Sequence, residues 1–153
     1  MIRVKAVLEP EHVLLDVPAA NILEAVEALA GSLRSDRRVV AWPEVAAAWR
    51  AKAAAAHTHL RHGVALLHAR TRAVSDLVMA FGRLAAPIMD QGEPIRFVLL
   101  IGIPDTMDAE YARLVGALMR VLRDERLCAA FHKATRPEQV LAILDRGEAA
   151  TGS

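Results

Sequence analysis

The chain has 153 residues, 54% of them hydrophobic, enough for one compact domain with a substantial core. Its 19 Lys and Arg nearly balance 18 Asp and Glu, and only 4% of residues are aromatic, so no basic, aromatic-studded surface argues for a nucleic-acid partner. No signal-peptide pattern opens the chain and no apolar run approaches the ~20 residues that cross a bilayer, so no membrane insertion and a cytoplasmic location are expected.

In chain order, "VLEPEHVLLDV" reads as a short extended segment. "NILEAVEALAGSL" follows with Ile22, Leu23, Val26, Leu29, Ala30 and Leu33 at helical spacing, Asn21 as N-cap and Glu24 as its capping-box partner. A second helix is predicted over "WPEVAAAWRAKAAA", with Pro43 in the first turn, where proline costs little. The pattern then changes to short apolar runs. "GVALLHA" at 63–69, "LVMAFGRL" at 77–84 and "IRFVLLIGI" at 95–103 read as strands, the last apolar on both faces as a strand covered from both sides should be. "PDTMDAEYARLVGALMRVLRD" is an amphipathic helix, and "ERLCAAFHKA" and "RPEQVLAILDRG" are two more, the latter with Pro137 near its start and Gly147 just past its end. The fold class expected is α/β, one domain over residues 1–147 with a flexible tail at 148–153. Cys128 has no second cysteine to pair with, which fits a reducing compartment, and its neighbours place it on a buried helix face.

Most of the histidines crowd into "HTHLRHGVALLHAR", at His57, His59, His62 and His68. Histidine binds metals, takes protons and attacks electrophiles near neutral pH. His59 and His62 stand three apart with His57 close by, but no acidic residue lies between 57 and 75 to complete a ligand set. The first three histidines are therefore read as a solvated loop, and no metal is expected. No Ser or Cys sits at a nucleophile elbow either. His68 differs, because it ends an apolar strand. One ring nitrogen would face solvent at the sheet edge while a backbone carbonyl holds the other, an arrangement suited to attack on a phosphoryl group. The plain counterpart is a strand-end histidine with a satisfied hydrogen bond.

The stretch resembles the active-site signature of phosphotransferase-system enzyme IIA domains of the fructose, mannitol and nitrogen-regulatory type, a pattern running T-G-I-G-x-G-I-A-I-P-H-[GA]-[RK]. Thr58, Gly63, Ala65, His68 and Arg70 match it, while His59 and Arg61 replace two glycines and Leu67 a proline. The similarity extends over residues 7–146. It implies a central mixed β-sheet flanked by helices on both faces. It also implies a phosphoryl group accepted on His68 from a histidine phosphocarrier protein, with no cofactor. Arg61, Arg70, Tyr111 and backbone N–H groups near Gly63 would then steady the phosphoryl oxygens. Tyr111 stands where the family has a second histidine, and Lys52 (or Arg50) where it has an arginine. The role implied is a regulatory phosphoprotein acting on target proteins. The alternative is a binding module that keeps the fold and has lost the chemistry.

Other features have structural readings. Asp105, Thr106 and Asp108 are expected to cap the helix that carries Tyr111. Trp42 and Trp49, seven apart on one helix face, are expected to pack. His12 and His132 read as ordinary surface or core histidines, and Arg34, Arg37 and Arg38 as a solvated turn.

Overall fold

A strand that is apolar on both faces needs cover on both sides, and the chain is built around one. In the computed structural model, which describes residues 4–55 and 57–151, β5 (Glu93–Ile103) is buried continuously from Phe97 onward. Alternate side chains go to opposite layers. Phe97, Leu99, Ile101 and Ile103 join one core cluster, Val98 and Leu100 the other. The sheet order is β1-β4-β5-β3-β2, with β1 (Val13–Val17), β2 (Thr58–Leu60), β3 (Val64–Arg70) and β4 (Val78–Asp90) completing it. β1 runs parallel to β4 and β3 parallel to β5, while β4–β5 and β2–β3 are antiparallel, so the sheet is mixed, as the family resemblance implied.

One face is covered by α2 (Ile22–Ser32) and α3 (Trp42–Ala54). The other is covered by the short α1 (Val4–Val7), α4 (Asp108–Leu122), α5 (Glu125–Lys133) and α6 (Pro137–Thr151). Trp49 is fully buried between α3 and the sheet and donates its indole N–H to the Ile101 carbonyl at 3.1 Å. Trp42 donates to the Ala30 carbonyl at 2.8 Å, which ties α3 to α2. Both tryptophans therefore pack, and Cys128 is buried as expected, its Sγ 3.4 Å from the Leu122 carbonyl. Among the described residues no helix is long and apolar enough to cross a membrane.

Several local expectations give way. The opening segment is a helical turn and a 3-10 turn (Pro10–His12) before only five residues of strand. The residues around His59 are not an open loop but β2, paired with β3 from Thr58↔Leu66 to Leu60↔Val64. β4 continues past Leu84 to Asp90 and turns back through Gln91 and Gly92, both at positive φ, as a two-residue hairpin of the primed kind requires. The last helix does not stop at Gly147 but reaches Thr151, so the boundary drawn there falls inside it; residues 152–153 lie outside the described residues. Arg38 is not in a solvated turn, since its side chain is 11% exposed and bound to Asp36.

Candidate functional site

β3 and β5 run parallel, so their C-terminal ends open on the same side of the sheet, where ligands commonly bind in α/β folds. His68 sits there, paired in register with Ile101. By the alternation of β3 its side chain leaves the sheet on the face that Val64 and Leu66 share with α4. The chain returns from β5 through Pro104–Met107 into α4, whose first turn carries Tyr111. The rings of His68 and Tyr111 lie 5.4 Å apart, tilted by 37°. Two residues beyond His68, the Arg70 guanidinium grips Asp108 at the start of α4, at 2.9 Å from Nε and 2.8 Å from Nη2.

Asp108 therefore does not cap α4. Met107 is the N-cap residue, without a side-chain cap bond, and the Asp108 carboxylate accepts from Arg70 instead. The bond fixes the helix start against the strand end, with its positive dipole end beside His68. The expected backbone carbonyl holding one nitrogen of His68 is not there: among the described residues the His68 ring makes no protein hydrogen bond, and the Tyr111 ring orients it from one side.

A cleft of about 150 Å³ opens beside His68, lined also by Lys52, His57, Thr58, Leu66 and Leu67. Burial, helped by the positive charges of Lys52 and Arg70, pushes the His68 pKa below the ordinary histidine range. The imidazole is thus neutral at neutral pH, the form with a free lone pair, and two cations stand near enough to stabilise an anion formed on it. Burial raises the Tyr111 hydroxyl, which stays protonated and able to donate. Of the two basic residues considered at the end of α3, it is Lys52 that faces the cleft. Arg50 turns to Glu27 and binds it through both carboxylate oxygens.

His68, Arg70 and Tyr111 are brought together; Arg61 and Gly63 are not. Arg61, His62 and Gly63 form the turn between β2 and β3, at the opposite end of the strand from His68. Five residues at ~3.3 Å each separate Gly63 from His68 by roughly 16 Å along the strand. Arg61 lies instead near Cys128, whose thiol it influences electrostatically. Gly63 has a backbone role: φ is +73°, a Cβ there would stand 2.9 Å from the Pro94 carbonyl oxygen, and its own carbonyl accepts from Arg96 and Phe97 at 2.7 and 3.0 Å. In sequence these residues are as close to His68 as the site residues, but an extended strand carries them away. Sequence reading missed His57 and Thr58 as walls of the cleft because β2 had not been recognised, and only its antiparallel return brings them beside Leu66 and His68.

Comparisons with known proteins show the family and the fold. The family model described as "Phosphoenolpyruvate-dependent sugar phosphotransferase system, EIIA 2" matches residues 6–147. The chain is 31% identical over 93 residues to the PTS system 2-O-alpha-mannosyl-D-glycerate-specific EIIABC component of Escherichia coli (strain K12). That alignment takes in 58% of this chain and 14% of the length of that relative. In fold the chain is similar to nitrogen regulatory protein IIA-Ntr from Neisseria meningitidis (TM-score 0.82, 21% identity, 92% of this chain and 98% of that one). It is also similar to IIA mannitol from Escherichia coli (TM-score 0.73, 20% identity, 89% and 97%). A third neighbour is a complex of enzyme IIA mannitol with phosphorylated enzyme IIB mannitol from Escherichia coli (TM-score 0.75, 20% identity, 91% and 99%).

Proposed function

This chain belongs to the phosphoenolpyruvate-dependent sugar phosphotransferase system EIIA 2 family, and from that premise we propose that His68 is the residue that accepts and passes on the phosphoryl group. The observation that carries the reading is the position of His68: a neutral imidazole at the C-terminal end of β3, against Tyr111, beside a cleft with Lys52 and Arg70 near enough to act on its charge. The donor is a phosphohistidine on a small carrier protein. The lone pair of His68 attacks phosphorus in line as the donor N–P bond breaks. The departing imidazole takes the electron pair and a proton, and His68 loses its ring proton to leave a neutral phosphoimidazole. Little covalent chemistry is asked of the protein beyond positioning and charge stabilisation. Lys52 and Arg70 supply positive charge at the phosphoryl oxygens, the Tyr111 hydroxyl donates one hydrogen bond, and the N-terminal end of α4 adds its dipole.

The reaction takes place in the bacterial cytoplasm, and the phosphorylation state of His68 governs binding to regulatory target proteins, a role supported by the likeness to nitrogen regulatory protein IIA-Ntr. The test is incubation of the intact protein with phosphoenolpyruvate, the first enzyme of the system and its histidine carrier. An acid-labile phosphoryl label is expected on the unmodified protein and on His62→Ala, and none on His68→Ala. Absence of label on the unmodified protein, with the other components shown active, overturns the reading; so does a label that survives in His68→Ala.

A further inference from the structure

Of the remaining histidines of the cluster, His62 lies in an exposed turn, but His57 and His59 are not solvated. His57 and His59 alternate along the approach to β2 and so leave the backbone on the same side. The tip of the β4–β5 hairpin reaches over to them and contributes Asp90. A single carboxylate oxygen, Oδ2 of Asp90, receives both rings: His57 Nε2 at 2.6 Å and His59 Nε2 at 2.7 Å. The side chains of His57 and His59 are 1% and 14% exposed, and that of Asp90 20%. The outward nitrogens also face oxygen acceptors. His57 Nδ1 lies 3.3 Å from the Lys52 carbonyl, and His59 Nδ1 lies 3.5 Å from Oε2 of Glu93.

We propose that His57, His59 and Asp90 bind one divalent transition-metal ion of the zinc class. The donor set is two imidazoles and a carboxylate converging from two elements, which leaves a fourth position for water. A metal-bound histidine typically donates its other N–H to a carbonyl or carboxylate; that second arrangement stands here for His57, while Glu93 Oε2 lies 3.5 Å from His59 Nδ1. With Nδ1 donating to the Lys52 carbonyl, the His57 imidazole turns a lone pair toward the Asp90 oxygen, and a cation shared with His59 resolves the repulsion. The three ligand atoms already lie within 4.8 Å of one another. Tetrahedral bonds of ~2.1 Å separate ligand atoms by about 3.4 Å, so each contact opens by roughly 0.8 Å, within the reach of small side-chain rotations. The rival occupant is a pair of Nε2 protons, which would make the cluster a plain hydrogen-bonded link from the two rings to one carboxylate.

Chelator-stripped full-length protein titrated with Zn²⁺ in a calorimeter distinguishes these, with Co²⁺ as a visible-absorption probe of geometry. One ion per chain and an intense, tetrahedral-type Co²⁺ spectrum are expected. His59→Gln and Asp90→Asn should each weaken binding at least about tenfold, while His62→Ala and His68→Ala bind as the unmodified protein does. The His68→Ala result keeps this site separate from the phosphoryl acceptor, so either assignment can fail alone. Folding of each variant is followed by near-ultraviolet circular dichroism. Should a variant unfold, nitrogen-15 spectra of the imidazoles in the unmodified protein give the answer, with Zn²⁺ shifting Nε2 of His57 and His59. No stoichiometric uptake by the unmodified protein overturns the proposal, as does binding untouched by both ligand substitutions or an Nε2 signal that Zn²⁺ leaves in place.

Discussion

At the scale of single residues, the site turns on what stands opposite His68. A tyrosine offers a ring face and one neutral hydroxyl where a second histidine could offer a cation. The 5.4 Å contact between the rings is a packing interaction that phenylalanine would keep, so the hydroxyl can be tested by itself. Tyr111→Phe should leave the His68 orientation intact and slow phosphoryl transfer by about two- to tenfold, the worth of one hydrogen bond. Transient kinetics of label transfer from the carrier protein measure it. An unchanged rate would show that the hydroxyl never reaches the phosphoryl oxygens, leaving the charges of Lys52 and Arg70 to steady them.

At the scale of elements, local rules account for most starts and few stops. Asn21 caps α2 as its sequence suggests, accepting from the Glu24 N–H at 2.9 Å, while the Glu24 carboxylate reaches back to the N–H of Ala20 rather than to that of Asn21. Gly147 resembles a C-terminal stop and is not one. It lies inside α6, where a Cβ would come within 2.7 Å of Val121 Cγ2 and 2.8 Å of Leu127 Cδ1. This glycine is a close-packing residue that lets α6 approach α4 and α5. Gly147→Ala therefore sets two effects against each other. Helix propensity gains up to about 1 kcal/mol, whereas overpacking against a stiff, fully buried valine costs typically 1–3 kcal/mol. The packing penalty should win, and urea unfolding should show a net loss of about 1 kcal/mol. A stabilised variant would mean that α6 can shift away without loss.

At the scale of the whole molecule, a polar cluster joins segments distant in sequence. Arg38 donates to both oxygens of Asp36 and, through Nη1, to the carbonyls of Val7 and Leu77, each at 3.0 Å. His12 Nε2 lies 2.8 Å from the same Asp36 Oδ2 that accepts from Arg38 Nη2, and its Nδ1 is buried without a partner among the described residues. The bonds from Arg38 hold the Asp36 carboxyl far below the usual carboxylate range, with His12 assisting. Because the folded pKa is depressed, this stabilisation is complete above the unfolded value, about 4. It is lost as pH falls below that, where the unfolded chain takes up a proton that the folded one refuses. Asp36→Asn should cost about 3 kcal/mol at neutral pH, as breaking a buried pair does. It should also flatten the acid limb of the stability profile, measured by denaturant unfolding from neutral pH down to about pH 3. An equally steep acid limb in the variant would place the acid sensitivity in other carboxylates.

The sequence by itself determined the α/β class, the order of the principal strands and helices, and the two-sided burial of β5; it also offered His68 as a candidate by its place at a strand end and by resemblance. The class, the order and the burial rest on hydrophobic period and end signals, which neighbouring residues carry. Only the tertiary structure decided which charges meet His68. An extended β3 sends Arg61 and Gly63 to its far end, whereas the return of β2 and the connection from β5 into α4 bring Lys52, His57 and Tyr111 close. The same holds for Asp90, 33 residues beyond His57, whose carboxylate reaches the histidine pair only because the β4–β5 hairpin extends past Leu84. Periodicity reports which face of an element is buried; which element lies opposite is settled by sheet order and register, and no short stretch of sequence encodes those alone.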